Sequence, residues 1–215
     1  MLKELLNELQ LTATKLVAVT KTHPVADIEV LYREGQRRFG ENRPKELAEK
    51  HPLLPADIEW HFIGHLQSSN VKYIAPFVSM IHSVESLSLL QEINRQAAKH
   101  GRIIPCLLQF KIAQEESKYG LDLPGAQALL SLDAFRQMAN IQIAGVMGMA
   151  TFTEDEEQVR KEFRQLKQYF ETLRADFFVN DPGFCEISMG MSGDYKIAIE
   201  EGSTMVRIGS LLFGR

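Results

Sequence analysis

Lys21 is the first residue whose type and position suggest reactivity. It follows the run Lys15-Leu16-Val17-Ala18-Val19-Thr20 and precedes Thr22-His23-Pro24, so a strand would deliver its amine to the edge of a barrel or sheet interior. Desolvation there would lower its pKa from ~10.4 and let the amine form a Schiff base with an aldehyde. The alternative is a lysine that snorkels from the strand end into water. A second cluster lies near the C-terminus. Ser188-Met189-Gly190-Met191-Ser192-Gly193-Asp194-Tyr195 reads as the end of one strand opening into a helix with Ser192 as N-cap, and Arg207-Ile208-Gly209-Ser210 ends the next strand. Free N–H groups at the helix start, close backbone approach at Gly209 and the Ser210 hydroxyl would together cradle a phosphate. An ordinary cap and a turn glycine explain either segment taken alone. Arg207 stands between Val206 and Ile208, and a guanidinium in a strand must find an acceptor, either an acidic neighbour or a ligand atom. An aldehyde-reactive lysine, a phosphate cup and an inward arginine together describe a site for pyridoxal 5′-phosphate.

Other candidates are weaker. Asn42, in Gly40-Glu41-Asn42-Arg43-Pro44, could bond a ligand, or could cap a helix that has Pro44 in its first turn. Gly64 marks a place where backbone must come close to something, and the adjacent His65 is expected in a wall or capping role. The six histidines and two cysteines lack the clustered spacing of a zinc site. Cys106 and Cys185 both sit in apolar runs, which predicts buried free thiols in a reducing, cytoplasmic setting.

These residues need elements to position them. Eight short β-rich runs recur along the chain at 15–20, 37–40, 58–64, 78–84, 103–110, 141–148, 185–190 and 204–209. Helical periodicity falls between them, at Val25–Glu34, Arg43–Lys50, Ser86–His100 and Glu154–Leu173, the last with Val159, Phe163, Leu166 and Phe170 on one stripe. Before the first run, Leu2, Leu5, Leu6 and Leu9 make an extra N-terminal helix. Alternating strands and helices predict an α/β protein with a single (β/α)8 TIM barrel, in which strand C-termini converge on one mouth. The competing architecture, a doubly wound open sheet, usually carries a G-x-G-x-x-G turn after its first strand. Thr20-Lys21-Thr22-His23-Pro24 stands in that place. The 215 residues are 45% hydrophobic and 24% charged with a net charge of -4, a composition that excludes disordered and disulfide-stapled classes. No basic cluster favours nucleic acid or an anionic membrane. The uncharged run from Gln137 to Thr153 falls short of the ~20 mainly apolar residues of a membrane helix.

The segments LVAVTKTHP, FGENRPKE, WHFIGHLQS, IHSVES, ESKYGL, GVMGMA and SMGMSGDY, with IEEGSTMVRIGSLLFG, closely resemble the pyridoxal-phosphate homeostasis protein family, whose fold is similar to the N-terminal barrel of alanine racemase. The resemblance covers about Leu16 to Gly214. It implies one cofactor-binding barrel over residues 1–215 that holds pyridoxal 5′-phosphate as an aldimine of Lys21. Ser192 and the Gly209-Ser210 backbone would hold the phosphate, Arg207 would face the ring nitrogen, and Asn42 and Met149 would line its surroundings. Two segments depart from the family pattern. Leu108-Gln109-Phe110-Lys111 lacks the usual asparagine after valine, and Ser68-Ser69-Asn70-Val71-Lys72 replaces the usual Ser-Asn-Lys order.

Arginine is a poor acid, so a ring nitrogen facing Arg207 would stay unprotonated and the ring would be a weak electron sink. Alanine racemase adds a tyrosine base from a second domain, and the chain is expected to lack one because it ends at Arg215. The reading is therefore a cytoplasmic, monomeric cofactor carrier without robust catalysis, which masks the aldehyde and makes transient contact with apo enzymes that need it. Two other readings stand beside it. One is an amino-acid racemase or decarboxylase drawing a base from Tyr195 or His65. The other is a Schiff-base aldolase acting on a phosphorylated sugar, which leaves Arg207 unexplained.

Overall fold

In the computed structural model, which describes residues 1–114 and 119–214, the chain opens with the amphipathic helix α1 (Leu2–Gln10), whose Leu2, Leu5 and Leu9 are buried. The units that follow are β1 (Lys15–Val19) and α2 (Val25–Arg33), then β2 (Arg38–Glu41) and α3 (Pro44–Lys50). Next come β3 (Glu59–Phe62) with α4 (Val71–Ile74), and β4 (Met80–Val84) with α5 (Leu87–Lys99). The second half runs through β5 (Ile104–Phe110), α6 (Leu123–Ser131), α7 (Asp133–Arg136), β6 (Ile141–Gly148) and α8 (Glu156–Phe177). It ends with β7 (Glu186–Ser188), α9 (Tyr195–Glu200), β8 (Met205–Ile208) and α10 (Ser210–Phe213). Only Tyr119, Gly120 and Leu121 of the ESKYGL motif lie among the described residues.

The strands pair in parallel in chain order and close into a barrel. Closure is made by β1 against β8, with Val17 opposite Arg207 and Ala18 opposite Ile208. This is the expected (β/α)8 architecture, and every observed strand overlaps its predicted run. Local chemistry sets the helix starts. Ser86 Oγ accepts from Leu89 N at 3.3 Å ahead of α5, Asp122 Oδ1 accepts from Gly125 N at 2.8 Å ahead of α6, and Asp155 caps α8 on Glu157 N and Gln158 N. The α8 stripe of Val159, Phe163, Leu166 and Phe170 is buried as its spacing predicts, and the helix runs on to Phe177. No helix among the described residues is long and apolar enough to cross a membrane.

Most of the core lies between strands and helices, with Phe39, Trp60, Phe62, Ile81 and Phe163 fully buried there. The barrel interior differs from the branched aliphatic layers usual in this fold. On one side Leu107, Ala144 and Met147 form a separate apolar cluster against Met80 and Met149. On the other, His82 of β4 meets Ser188 of β7 at 3.0 Å. Those strands are not neighbours in the sheet, so their contact must cross the interior.

Of the two cysteines, Cys106 is buried as expected and burial pushes its thiol up. Cys185 is exposed, which corrects the expectation for it. It stands just before β7, a strand of three residues, so it lies at the rim instead of within a buried run.

Candidate functional site

A cavity of about 710 Å³ opens where the C-terminal ends of the strands converge, a volume within the ~300–1,000 Å³ of small-molecule sites. Lys21, Asn42, Met149, Ser192, Arg207, Gly209 and Ser210 all line it. Residues up to 189 positions apart in the chain are thus gathered in one place.

Lys21 is exposed in this cavity, a correction to the expected desolvation by its strand: the chain leaves the barrel wall at Val19, two residues earlier. Its backbone is held from both sides. Lys50 Nζ donates to the Thr20 carbonyl at 2.9 Å, to Glu41 Oε1 at 2.6 Å and to Glu46 Oε1 at 2.7 Å. Thr20 Oγ1 donates to Glu41 Oε1 at 2.7 Å, and Thr22 N–H to Glu46 Oε1 at 2.8 Å. Thr22 adopts φ 67°, a conformation that costs a β-branched residue energy and persists only where its surroundings impose it. Glu41 is fully buried. Burial raises its pKa despite the opposing Lys50 and Thr20 bonds. In Glu46 burial acts in the same direction, but the bonds from Lys50 and Thr22 prevail and hold it below the usual carboxylate range. Sequence reading missed this clamp, although Glu46 and Lys50 at i,i+4 were its one local sign.

At the opposite wall Ser192 Oγ accepts from Gly209 N and Leu211 N, each at 3.4 Å. The N-cap of α9 is Asp194, not Ser192 as expected. The Asp194 carboxylate turns back to accept from Met191 N at 2.5 Å, so a turn intervenes before the helix begins. The amides that face this wall belong to the β8–α10 junction instead, where Gly209 is the N-cap. A Cβ on Gly209 would press on Val19 at about 3.2 Å, which fits the close approach read from the sequence.

Arg207 forms the floor and is 4% exposed. Burial draws its pKa down to about 10, below the range assumed for a free guanidinium and still charged at neutral pH. Its partners are neutral: Nη1 donates to Ser188 Oγ at 2.7 Å and Nη2 to the Gly148 carbonyl at 3.1 Å. An acidic neighbour is present as well: Asp194 lines the same cavity and its charge opposes the effect of burial on Arg207. Beneath it Ser188 Oγ lies 3.0 Å from His82 Nδ1, and His82 Nε2 lies 2.8 Å from His61 Nδ1. Burial lowers both histidines, His61 to about 3, so both are neutral. Ser188 Oγ accepts from Arg207 and keeps its own proton to give; in the tautomer where that proton goes to His82 Nδ1, His82 Nε2–H donates to His61. The chain draws on β3, β4, β7 and β8, and no sequence spacing announces it.

Asn42 caps nothing. The N-cap of α3 is Arg43, and Asn42 Oδ1 is buried without a hydrogen-bond partner. Gly64 sits against it, where a Cβ would overlap the Asn42 carbonyl. His65 is in the wall as expected, with Nδ1 at 3.2 Å from Glu85 Oε1 and its ring stacked on Tyr119. Gln109, at one departure from the family pattern, lines the cavity and donates to the Tyr119 carbonyl at 2.9 Å. Tyr195, the other candidate base, is buried and bonded to Glu8 of α1 at 3.1 Å, away from the mouth. No group of three metal-ligating side chains occurs among the described residues.

The sequence profile of the alanine racemase N-terminal domain family matches residues 2–215. The chain is 37% identical over 201 residues to the pyridoxal phosphate homeostasis protein of Aquifex aeolicus, covering 93% of this chain and 86% of that protein. It is 36% identical over 212 residues to the Homo sapiens protein of the same name, covering 93% and 76% respectively. PipY of Synechococcus elongatus, solved with pyridoxal phosphate bound, superposes with a TM-score of 0.86 at 33% identity over 100% of both chains. Alanine racemase of Bartonella henselae shares the fold, with a TM-score of 0.73 at 18% identity over 58% of that chain.

Proposed function

We propose, from the premise that this chain belongs to the pyridoxal phosphate homeostasis proteins of the alanine racemase N-terminal domain family, that it binds pyridoxal 5′-phosphate in the barrel mouth and keeps it available to other enzymes. The observation that carries the reading is the convergence in one cavity of a lysine amine, a backbone N–H wall and a buried arginine. The residues fit the cofactor. Asn42 Oδ1 is an orphaned acceptor of the kind a ligand donor satisfies, and Ser192, Gly209 and Leu211 set donors where a phosphate can replace the long 3.4 Å contacts.

When bound, the cofactor supplies an aldehyde and an electron-withdrawing ring. Lys21 offers the amine for that aldehyde. Ser192 and the Gly209-Ser210 backbone orient the phosphate, and Met149 and Asn42 border the ring. Arg207 would direct a remaining N–H to the ring nitrogen and, with a pKa near 10, would keep its own proton. That choice supports carriage over carbanion chemistry. Tyr195 is turned onto Glu8 of α1, which leaves His65 of the two candidate bases for a racemase or decarboxylase. On this reading residues 1–215 act as one monomeric, cytoplasmic cofactor-binding unit that contacts apo enzymes only transiently.

Titration of apo protein with pyridoxal phosphate and with pyridoxal, followed by a panel of amino acids, tests it. We expect visible absorbance saturating with the phosphorylated aldehyde, much weaker binding of pyridoxal, and no turnover near the ~1–10³ per second of ordinary enzymes. Equal affinities for the two aldehydes, or turnover in that range, contradict it.

A further inference from the structure

His65 and Glu85 are left without a task by cofactor binding. They end β3 and β4 on the mouth side, and their geometry is that of a base and its orienting acid. His65 Nδ1 lies 3.2 Å from Glu85 Oε1, with side-chain exposures of 41% and 19%. The Glu85 Oε2 atom is buried with no partner, and burial raises its carboxyl pKa. The imidazole ring is stacked on Tyr119 at 4.3 Å between centroids. The backbone of Tyr119 is held, because its carbonyl accepts from Gln109 and Leu121, two residues on, is bridged to the end of β5. The ring is packed on one face and Nδ1 faces Glu85, so Nε2 is the nitrogen left to act on what enters. His65 and Lys21 line the same cavity.

We propose that His65, positioned by Glu85, is the proton acceptor for primary amines that collect the cofactor from Lys21. The inference rests on the cofactor reading above. An amine arrives as an ammonium ion, since alkylammonium pKa values lie near ~10, and an ammonium nitrogen has no lone pair with which to attack. Its proton passes to His65 Nε2. The freed nitrogen forms a bond to the carbon held in C=N linkage by Lys21, and the C–N bond to Lys21 then breaks, its electron pair leaving with the lysine nitrogen. The proton parked on His65 ends on Lys21, and the second proton of the incoming nitrogen moves within the adduct to the departing lysine nitrogen. No oxidant, reductant or water is consumed. The substrate class is a primary amine, free or as a lysine side chain, and the carboxylate of Glu85 favours its positive charge.

The test compares two nucleophiles on holo protein. An alkylamine such as an amino acid needs its proton removed, whereas methoxyamine is unprotonated at neutral pH and does not. In His65→Asn the rate of cofactor loss to the alkylamine should fall by about 10²-fold, the lower end for general-base catalysis, with the methoxyamine rate changed less than about threefold. Glu85→Gln should show a smaller loss in the same sense. On the apo protein, nitrogen NMR should find His65 as the Nδ1–H tautomer, and Glu85→Gln should weaken that preference. Borohydride reduction of each sample locates the linkage. Label missing from Lys21 overturns the cofactor reading and this inference with it. Label on Lys21 with both rates falling together, with neither falling, or with an Nε2–H tautomer overturns the proton acceptor alone.

Discussion

Ser188 and Ser192 are both serines near the end of β7, and the structure gives them opposite tasks. In Ser188→Ala the guanidinium of Arg207 loses its 2.7 Å bond and His82 Nδ1 loses its 3.0 Å partner. His82 is fully buried and Arg207 is 4% exposed at the cavity floor, so water replaces the hydroxyl poorly. A hydrogen bond to a charged group is worth ~1.5–3 kcal/mol and an unsatisfied buried acceptor costs ~1–3 kcal/mol. The two overlap, because both derive from one atom, and the expected loss of unfolding free energy is about 2–4 kcal/mol. In Ser192→Ala the lost contacts are two weak ones at 3.4 Å on a half-buried side chain. Stability should change by less than ~0.5 kcal/mol, while pyridoxal phosphate binding weakens by about 1–3 kcal/mol. Urea unfolding of the apo variants and cofactor titration of each separate the effects. A Ser188→Ala variant within 0.5 kcal/mol of wild type (~0.5 being the scale of neutral surface changes) would show that Arg207 does not depend on the interior chain, and the account of the floor would be wrong.

Three further outcomes follow from the same geometry. His61 and His82 are neutral when folded and titrate at the ordinary 6.5 when unfolded. The unfolded chain therefore binds more protons below that pH, and stability must rise with pH from about 3 to 6.5, at ~1.4 kcal/mol per pH unit for each histidine. Unfolding at pH 7 and pH 5.5 should differ accordingly, and His82→Gln should flatten the slope; an equal slope in the variant refutes the assignment. Lys50→Met leaves the Glu41 carboxylate buried without its cation and should cost about 3–5 kcal/mol, with Glu41→Gln in the same chain restoring part of it; a neutral single variant would dissolve the clamp. Arg207→Glu should favour a protonated ring and raise solvent-deuterium exchange at the α-carbon of added amino acids per bound cofactor, and a fall from high wild-type turnover would make Arg207 catalytic.

The barrel was legible because each strand is a short β-rich run and each long helix carries an apolar stripe, signals that local periodicity exposes. The short helices α4, α7 and α10 have four residues each and no room for a period. The seven residues read as a cofactor site all line one cavity, and they were legible in part from strand ends and in part from resemblance, as with Met149. Ser192 was misplaced because a serine and an aspartate two positions apart are both good caps, and only tertiary contact with Gly209 decides between them. The Arg207–Ser188–His82–His61 chain was invisible because its members stand on four strands and touch only once the barrel closes. The Lys50 clamp depends in the same way on β2 and α3 meeting the loop after β1.

The central claim is that this cavity holds pyridoxal phosphate through Lys21. Loading the protein, reducing with borohydride and mapping the peptides tests it most directly. The expected result is a phosphopyridoxyl label on Lys21 that is lost in Lys21→Ala. A label on Lys111, Lys118 or any other lysine, with Lys21 unmodified, would contradict it.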